Sequence, residues 1–330
     1  MNALYLANEP ALVLAIAASL DYWIGDPWGW PHPVRFMGWA IAQYTQLALQ
    51  WLKSTLALRL AGIGLGIGLV GLSGLVGWCL VAAAKGVHPL VGSAIASILL
   101  ASCLAGRSLR LAALEILQSL ASQDLPTVRT QLSQYVGRDT ATLSESDILR
   151  AVLETVTENA TDGVMAPLFY ALLGAALGMG IVPLALAYKA ASTLDSMVGY
   201  REPPYTHLGW FSARMEDGLT WLPCRLTVLT LSLISCKPRH VLQICQRDAP
   251  QDASPNSGWS EAAYAAVLGV QLGGTNWYRG VAKHKPLLGD SIYPITPEKI
   301  EHALQLTRSC FLIWVGIFMA IWIVLKFLVP

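Results

Sequence analysis

The sequence predicts an all-α, polytopic membrane protein: a helical bundle whose motif-bearing loops gather on one side. Three observations carry this reading. Of 330 residues, 54% are hydrophobic and only 13% charged, where a soluble domain is nearer a quarter charged. Mean hydropathy is +0.49. The apolar residues are collected into runs, and those at 60–84, 88–106 and 309–329 are long enough to cross a bilayer as helices. A net charge of +1 offers no basic surface for nucleic acid. The six cysteines form no CxxC pair, which excludes the common zinc and redox spacings and makes them small hydrophobes.

In chain order, residues 11–24 form a first apolar helix, a short span ending near Asp21. No basic residue precedes it, unlike a signal peptide. Residues 21–41 read as a proline- and glycine-stiffened loop presenting Asp26, His32 and Arg35 among tryptophans. The Gly64–Gly68 spacing in 60–84 predicts close helix packing in lipid. Residues 107–165 and 236–308 are more polar and are placed largely outside the hydrocarbon. Gly174, Gly178, Gly180 and Pro183 interrupt the run 166–188, which predicts a broken helix pair or a dipping hairpin. Residues 201–225 and 247–262 read as loops, the second ending as a helix N-cap.

The chain's polar side chains concentrate between Arg150 and Arg201. Arg150, Glu154, Glu158 and Asp162 recur every four residues, forming a ridge along one helix face. Three carboxylates on one ridge repel one another, so the ridge is either a solvated face or the seat of a metal ion or cationic ligand. Lys189, Ser192, Asp195, Ser196 and Gly199 form a second polar stripe, read either as a site or as a lysine–aspartate pair within the bundle. Charge in an apolar helix marks a functional site by default. No GxGxxG, Walker, HExxH or GxSxG motif occurs.

The blocks GDPWGWPHPVRFMG, VGRDT, ETVTENATDGVMAPLFYALLG, AYKAASTLDSMVGYR, RLT and SPNSGWSEAAYAAVLGVQLGG run in order between Leu20 and Asp290. Together they resemble the CobD/CbiB family of cobalamin biosynthesis, the adenosylcobinamide-phosphate synthases. The resemblance implies an integral enzyme of the cell membrane with its active site facing the cytoplasm. It implies ATP- and Mg²⁺-dependent amide formation between the propionate carboxylate of adenosylcobyric acid and 1-amino-2-propanol or its O-phosphate. Ser192, Glu216, Thr220 and Asp252 depart from the family's usual residues. Two other classes stay open: a transporter of corrinoids or small molecules, and a membrane sensor or regulator.

Under the resemblance, Glu158, Asp162 and Asp195 are candidate magnesium ligands. Lys189, Asp195, His32 and Asp26 are candidate catalytic residues, with His32 to take the proton from the attacking ammonium. Arg35, Arg201, Arg214 and Arg225 suit phosphate oxygens. Asn159, Ser196, Tyr200, Asp217, Asn256, Ser257 and Glu261 complete the substrate-binding set, and Trp28, Trp30, Trp210, Phe211 and Trp259 are candidates to flank the corrin. Glu154, facing Arg150, is assigned to a structural pair. Beyond substrates and lipid, association with other cobalamin-pathway membrane enzymes and homo-oligomerisation are left open.

Overall fold

The structure is a computed structural model. It describes the backbone at residues 2–26, 29 and 31–328, and side chains at 9–26, 29 and 31–324. The candidate corrin contacts Trp28 and Trp30 lie outside the described residues. The chain divides into two units, 1–105 with 166–219 and 313–330, and 106–165 with 220–312.

The first unit holds α1 (Asn2–Trp23), α2 (Pro33–Trp51), α3 (Thr55–Val87), α4 (Pro89–Ala101), α8 (Ala166–Ala176) and α9 (Pro183–Val198). The expected span 11–24 falls in α1, which buries Val13, Leu14 and Ala17 and packs on α4. Glu9 of α1 is 9% exposed and is neutralised by Lys85 at 2.8 Å. The loop expected over 21–41 ends earlier, because Pro33 fits the first turn of a helix and His32 caps it through its ring. Between α8 and α9 the backbone breaks at Gly178 and Gly180, both at positive φ, and the two helices pack on each other.

The glycines of α3 do permit close packing, but not at the expected positions. A Cβ on Gly62 would stand 2.0 Å from the Leu208 carbonyl oxygen, and one on Gly77 2.5 Å from the Leu186 side chain. Around Gly68 there is open space. Two residues turn a helix by about 200°, so Gly64 and Gly68 lie opposite Gly62 and Gly66. The repeat spacing was informative, and the face was not.

The second unit holds α5 (Gly106–Ala121), α6 (Leu125–Leu132), α7 (Glu145–Asn159), α11 (Pro238–Asp248) and α12 (Ser257–Leu268). It also holds a hairpin of β1 (Leu272–Tyr278) and β2 (Val281–Leu288). α10 (Trp210–Ile234) and α13 (Pro297–Leu328) each begin in one unit and end in the other. α7 packs on α5, and Ile148, Val152 and Val156 of the one and Ile116 and Leu120 of the other are all buried. The strands pair antiparallel, with Tyr278 opposite Val281. Arg279 and Gly280 at the turn both have positive φ, as a tight hairpin turn requires. Asp139 stabilises that turn, accepting the amides of Arg279 at 3.0 Å and Gly280 at 2.8 Å. Arg214, Glu216, Asp217 and Arg225, expected on a loop, instead ride on α10. Pro223 lies inside that helix without ending it.

Three helical stretches among the described residues are long and apolar enough to cross a membrane: Thr55–Val87, Pro89–Ala121 and Pro297–Val324. The second contains a turn between α4 and α5. In the most apolar part of the first, only 6% of residues are buried within the protein, so hydrocarbon must cover the rest. The protein is expected to stay with membranes through high-salt and carbonate washes. Folded protein in the soluble fraction without detergent would contradict this.

Candidate active site

In the first unit, His32 stands 2.9 Å from Asp26 through Nε2, while its Nδ1 accepts the Val34 amide at 3.3 Å. An acceptor role for Nδ1 places the proton on Nε2, donated to Asp26. This geometry leaves no free lone pair on His32 for the expected base role; the pair orients the loop entering α2. Asp26 and His32 border an apolar cavity of about 770 Å³, whose walls include Phe36, Met37, Leu69 and Leu186. Lys189, half-buried on α9, shares with Asp26 the neighbourhood of Cys103. The structure thus brings Asp26, His32 and Lys189 into one region, and Arg35 is exposed.

Asp195 lies one turn before the end of α9, and its carbonyl accepts the Gly199 amide at 2.7 Å. Ser196, Tyr200 and Arg201 are exposed beyond it, with the Tyr200 hydroxyl donating to the Ser196 carbonyl at 3.0 Å. On α10, burial pushes the Asp217 carboxyl up, while Arg214 and Arg201 pull it down. These three residues therefore form a common electrostatic group. Nearby Glu216, 8% exposed, accepts from the Tyr188 hydroxyl at 3.4 Å. Trp210 is exposed and Phe211 half-buried on the same helix.

In the second unit the expected carboxylate ridge breaks. α7 ends at Asn159 and a π-helical turn runs from Ala160 to Met165, where Pro167 has no amide to donate to the turn before it. The i, i+4 register therefore holds Glu154 and Glu158 but not Asp162. Glu158 feels Lys285, Asp252, Glu154 and Arg138, whereas Asp162 acts on Cys224. The two carboxylates do not fit a shared magnesium ion. Among the described residues, no group of three or more His, Cys, Asp or Glu could hold a metal ion.

Two clusters take the place of the ridge. In the first, Arg225 donates to Asn256 Oδ1 at 2.9 Å and lies 4.6 Å from the Trp259 ring centroid and 5.3 Å from that of Trp221. Asn256 precedes α12 but makes no side-chain bond to its first turn. The amides of Asn256 and Ser257 are accepted by Ser254 Oγ. Beside this group, burial pushes the Cys224 thiol up to about 12, which rules it out as a nucleophile at neutral pH.

The second cluster centres on Lys285 of β2. Its Nζ is 2.6 Å from Glu261 Oε1 and 3.9 Å from Asp252 Oδ2. Burial alone would lower this lysine, but Glu261, Glu158 and Asp252 outweigh it and hold the ammonium protonated. Glu261 is fully buried; burial, reinforced by Glu158 and Glu154, pushes its carboxyl up. Glu158 keeps exposed surface, yet the protein around it raises its carboxyl too, chiefly by desolvation. Asn159 is also exposed and bonds within its own helix to the Thr155 carbonyl.

Glu154 is separate. It accepts from Arg138 at 2.5 Å and from the Gly273 amide at 2.9 Å, with Arg150 at 3.7 Å. Its structural pairing is thus chiefly with Arg138, which also donates to Asn276 at 2.9 Å. Sequence reasoning missed Lys285 as a site residue. It is one of eight basic residues in 236–308, and only the pairing of β2 sets it beside α12.

A multi-helix membrane protein with ion-paired clusters on its polar segments is the class these features define. The chain belongs to the CobD/CbiB family: the family described as CobD/Cbib protein matches residues 14–307. It is 53% identical over 302 residues to a cobalamin biosynthesis protein CobD of Synechocystis sp., covering 91% of this chain and 88% of that one. It is 46% identical to a CobD of Photorhabdus laumondii, covering 83% and 85%. It is 42% identical to a cobalamin biosynthesis protein CbiB of Salmonella typhi, covering 89% and 92%. No solved structure matches the chain.

Proposed function

We propose that this protein is an ATP-dependent amide synthase of late cobalamin biosynthesis. It joins 1-amino-2-propanol, or its O-phosphate, to the propionate carboxylate of adenosylcobyric acid. Family membership gives the coarser part, a biosynthetic role in the cobalamin pathway. The arrangement at the start of α12 supports the finer part. There Arg225, held by Asn256 beside two tryptophans, meets the N-terminus of α12, where Ser254 Oγ takes the Ser257 amide and the Asn256 side chain caps none. Fork and helix terminus together favour phosphate oxygens.

A carboxylate does not acylate an amine at neutral pH. In the proposed reaction a propionate oxygen attacks a phosphorus of ATP, giving an acyl phosphate with ADP or an acyl adenylate with pyrophosphate. The ammonium releases a proton to solvent, its nitrogen then attacks the acyl carbon, and phosphate or AMP leaves with the activated oxygen while the nitrogen gives up a second proton to solvent. Arg225 and the opening of α12 take phosphate oxygens in this scheme. In the first unit, taken by itself, Arg201 and Arg214, grouped with Asp217, and Arg35 are candidate phosphate contacts, and Lys189 is a candidate to offset phosphoryl charge. Ser196, Tyr200, Asn159 and Ser257 contact the substrates. Magnesium arriving on ATP keeps several waters and needs one or two protein carboxylates. Either Asp162 or, in the first unit, Asp195 would supply one such ligand, and Glu158 is released from the role.

We place the active site toward the cytoplasm of the cell membrane, where ATP is found. The basic residues of 236–308 lean the same way. Purified protein given adenosylcobyric acid, aminopropanol phosphate and Mg-ATP is expected to yield the amide by mass spectrometry. Uptake into sealed vesicles with no product would replace this reading with the transporter.

A further inference from the structure

The cluster around Lys285 sets three carboxyl groups about a single lysine. Lys285 faces Glu261, Glu158 and Asp252, while Glu154 is matched by Arg138 and Arg150. Glu261 gives Oε1 to Lys285, but its Oε2 is buried with no hydrogen-bond partner. Asp252 accepts the Ser254 amide at 2.9 Å through Oδ1, and its buried Oδ2 also lacks a hydrogen-bond partner. A buried carboxylate oxygen without a donor is costly. Two such oxygens around one lysine, beside the accessible Glu158, mark a place that a cationic donor would complete.

We propose that Glu261, Asp252 and Glu158, arranged about Lys285, form a receptor for a primary ammonium group. An ammonium brings one charge and three N–H donors, matching carboxylate oxygens at hydrogen-bond distance. A divalent metal fits less well. No metal-holding group occurs among the described residues, and the ammonium of Lys285 already in the cluster would repel a second positive centre of higher charge. The proposal rests on the proposed reaction in one respect: the amine acceptor is the ammonium that this receptor would take.

The test is calorimetric titration of the full chain in detergent with 1-amino-2-propanol hydrochloride, without ATP or corrinoid. Saturable binding is expected, with 1,2-propanediol, the uncharged analogue, giving none. Glu261→Gln and Glu158→Gln are each expected to weaken it about tenfold or more, the loss of one charge-assisted contact. Should Glu261→Gln fail to fold, Glu158→Gln, on an accessible side chain, carries the test alone. Wild-type affinity in a folded variant would overturn the proposal, as would equal binding of the diol or displacement of the amine by MgCl₂. Binding is read without turnover, so the two readings separate. Amide formation with unaltered binding in the variants sinks the receptor alone. Binding without amide formation sinks the reaction alone.

Discussion

Replacing Glu154 by alanine is expected to destabilise the protein by about 3–5 kcal/mol, the usual loss when one partner of a buried ion pair is removed. Glu154 is 2% exposed. Its carboxylate meets Arg138 and Arg150 and takes the Gly273 amide. Alanine leaves the enclosed Arg138 charge with Asn276 as its hydrogen-bond partner and no paired carboxylate in contact, and strands an amide of β1. A loss of this size is a large part of the roughly 5–15 kcal/mol that holds a typical domain together. Glu154→Gln keeps an acceptor for Gly273 and should lose less. Thermal melts in detergent, with hydrogen exchange of the hairpin amides, check this. A Glu154→Ala variant melting with wild type would show that α7 does not hold the hairpin.

Replacing Arg225 by alanine is expected to leave the fold intact and lower turnover with Mg-ATP by on the order of 10²-fold, comparable to removing one preorganised donor from a transition-state site. Arg225→Lys restores the charge but neither the planar fork nor its seat beside Trp221 and Trp259, so only part of the activity should return. kcat/KM for ATP together with a melting curve separates this from simple unfolding. Activity within about twofold of wild type in Arg225→Ala would remove the phosphate role from this arginine.

The helical architecture was legible in the sequence because apolar runs of bilayer length have few other uses. The break between α8 and α9 at Gly178 and Gly180 was legible as well, whereas the start of α2 at Pro33, capped by His32, falls inside the stretch expected to be a loop. What escaped was set by distant partners. The hairpin's strands carry little alternation, and its Arg279–Gly280 turn is stabilised by Asp139, far away in the chain. The ridge was read on α-helical spacing and lost its last member to the π turn. Asp162 consequently lies near Cys224 and Arg225, whereas Glu158 lies near Lys285. The residue types at the site could be picked out from the sequence, but their grouping could not, because Lys285 and Glu261 are joined only when β2 pairs with β1.

Amide formation through an ATP-activated carboxylate is tested most directly by following the carboxylate oxygen. Adenosylcobyric acid labelled with ¹⁸O in the reacting propionate is incubated with purified protein, Mg-ATP and aminopropanol phosphate, and the products are read by mass spectrometry. The account predicts the amide, with one labelled oxygen transferred to inorganic phosphate or to AMP for each amide formed. Unaltered, fully labelled cobyric acid alongside intact ATP would contradict it.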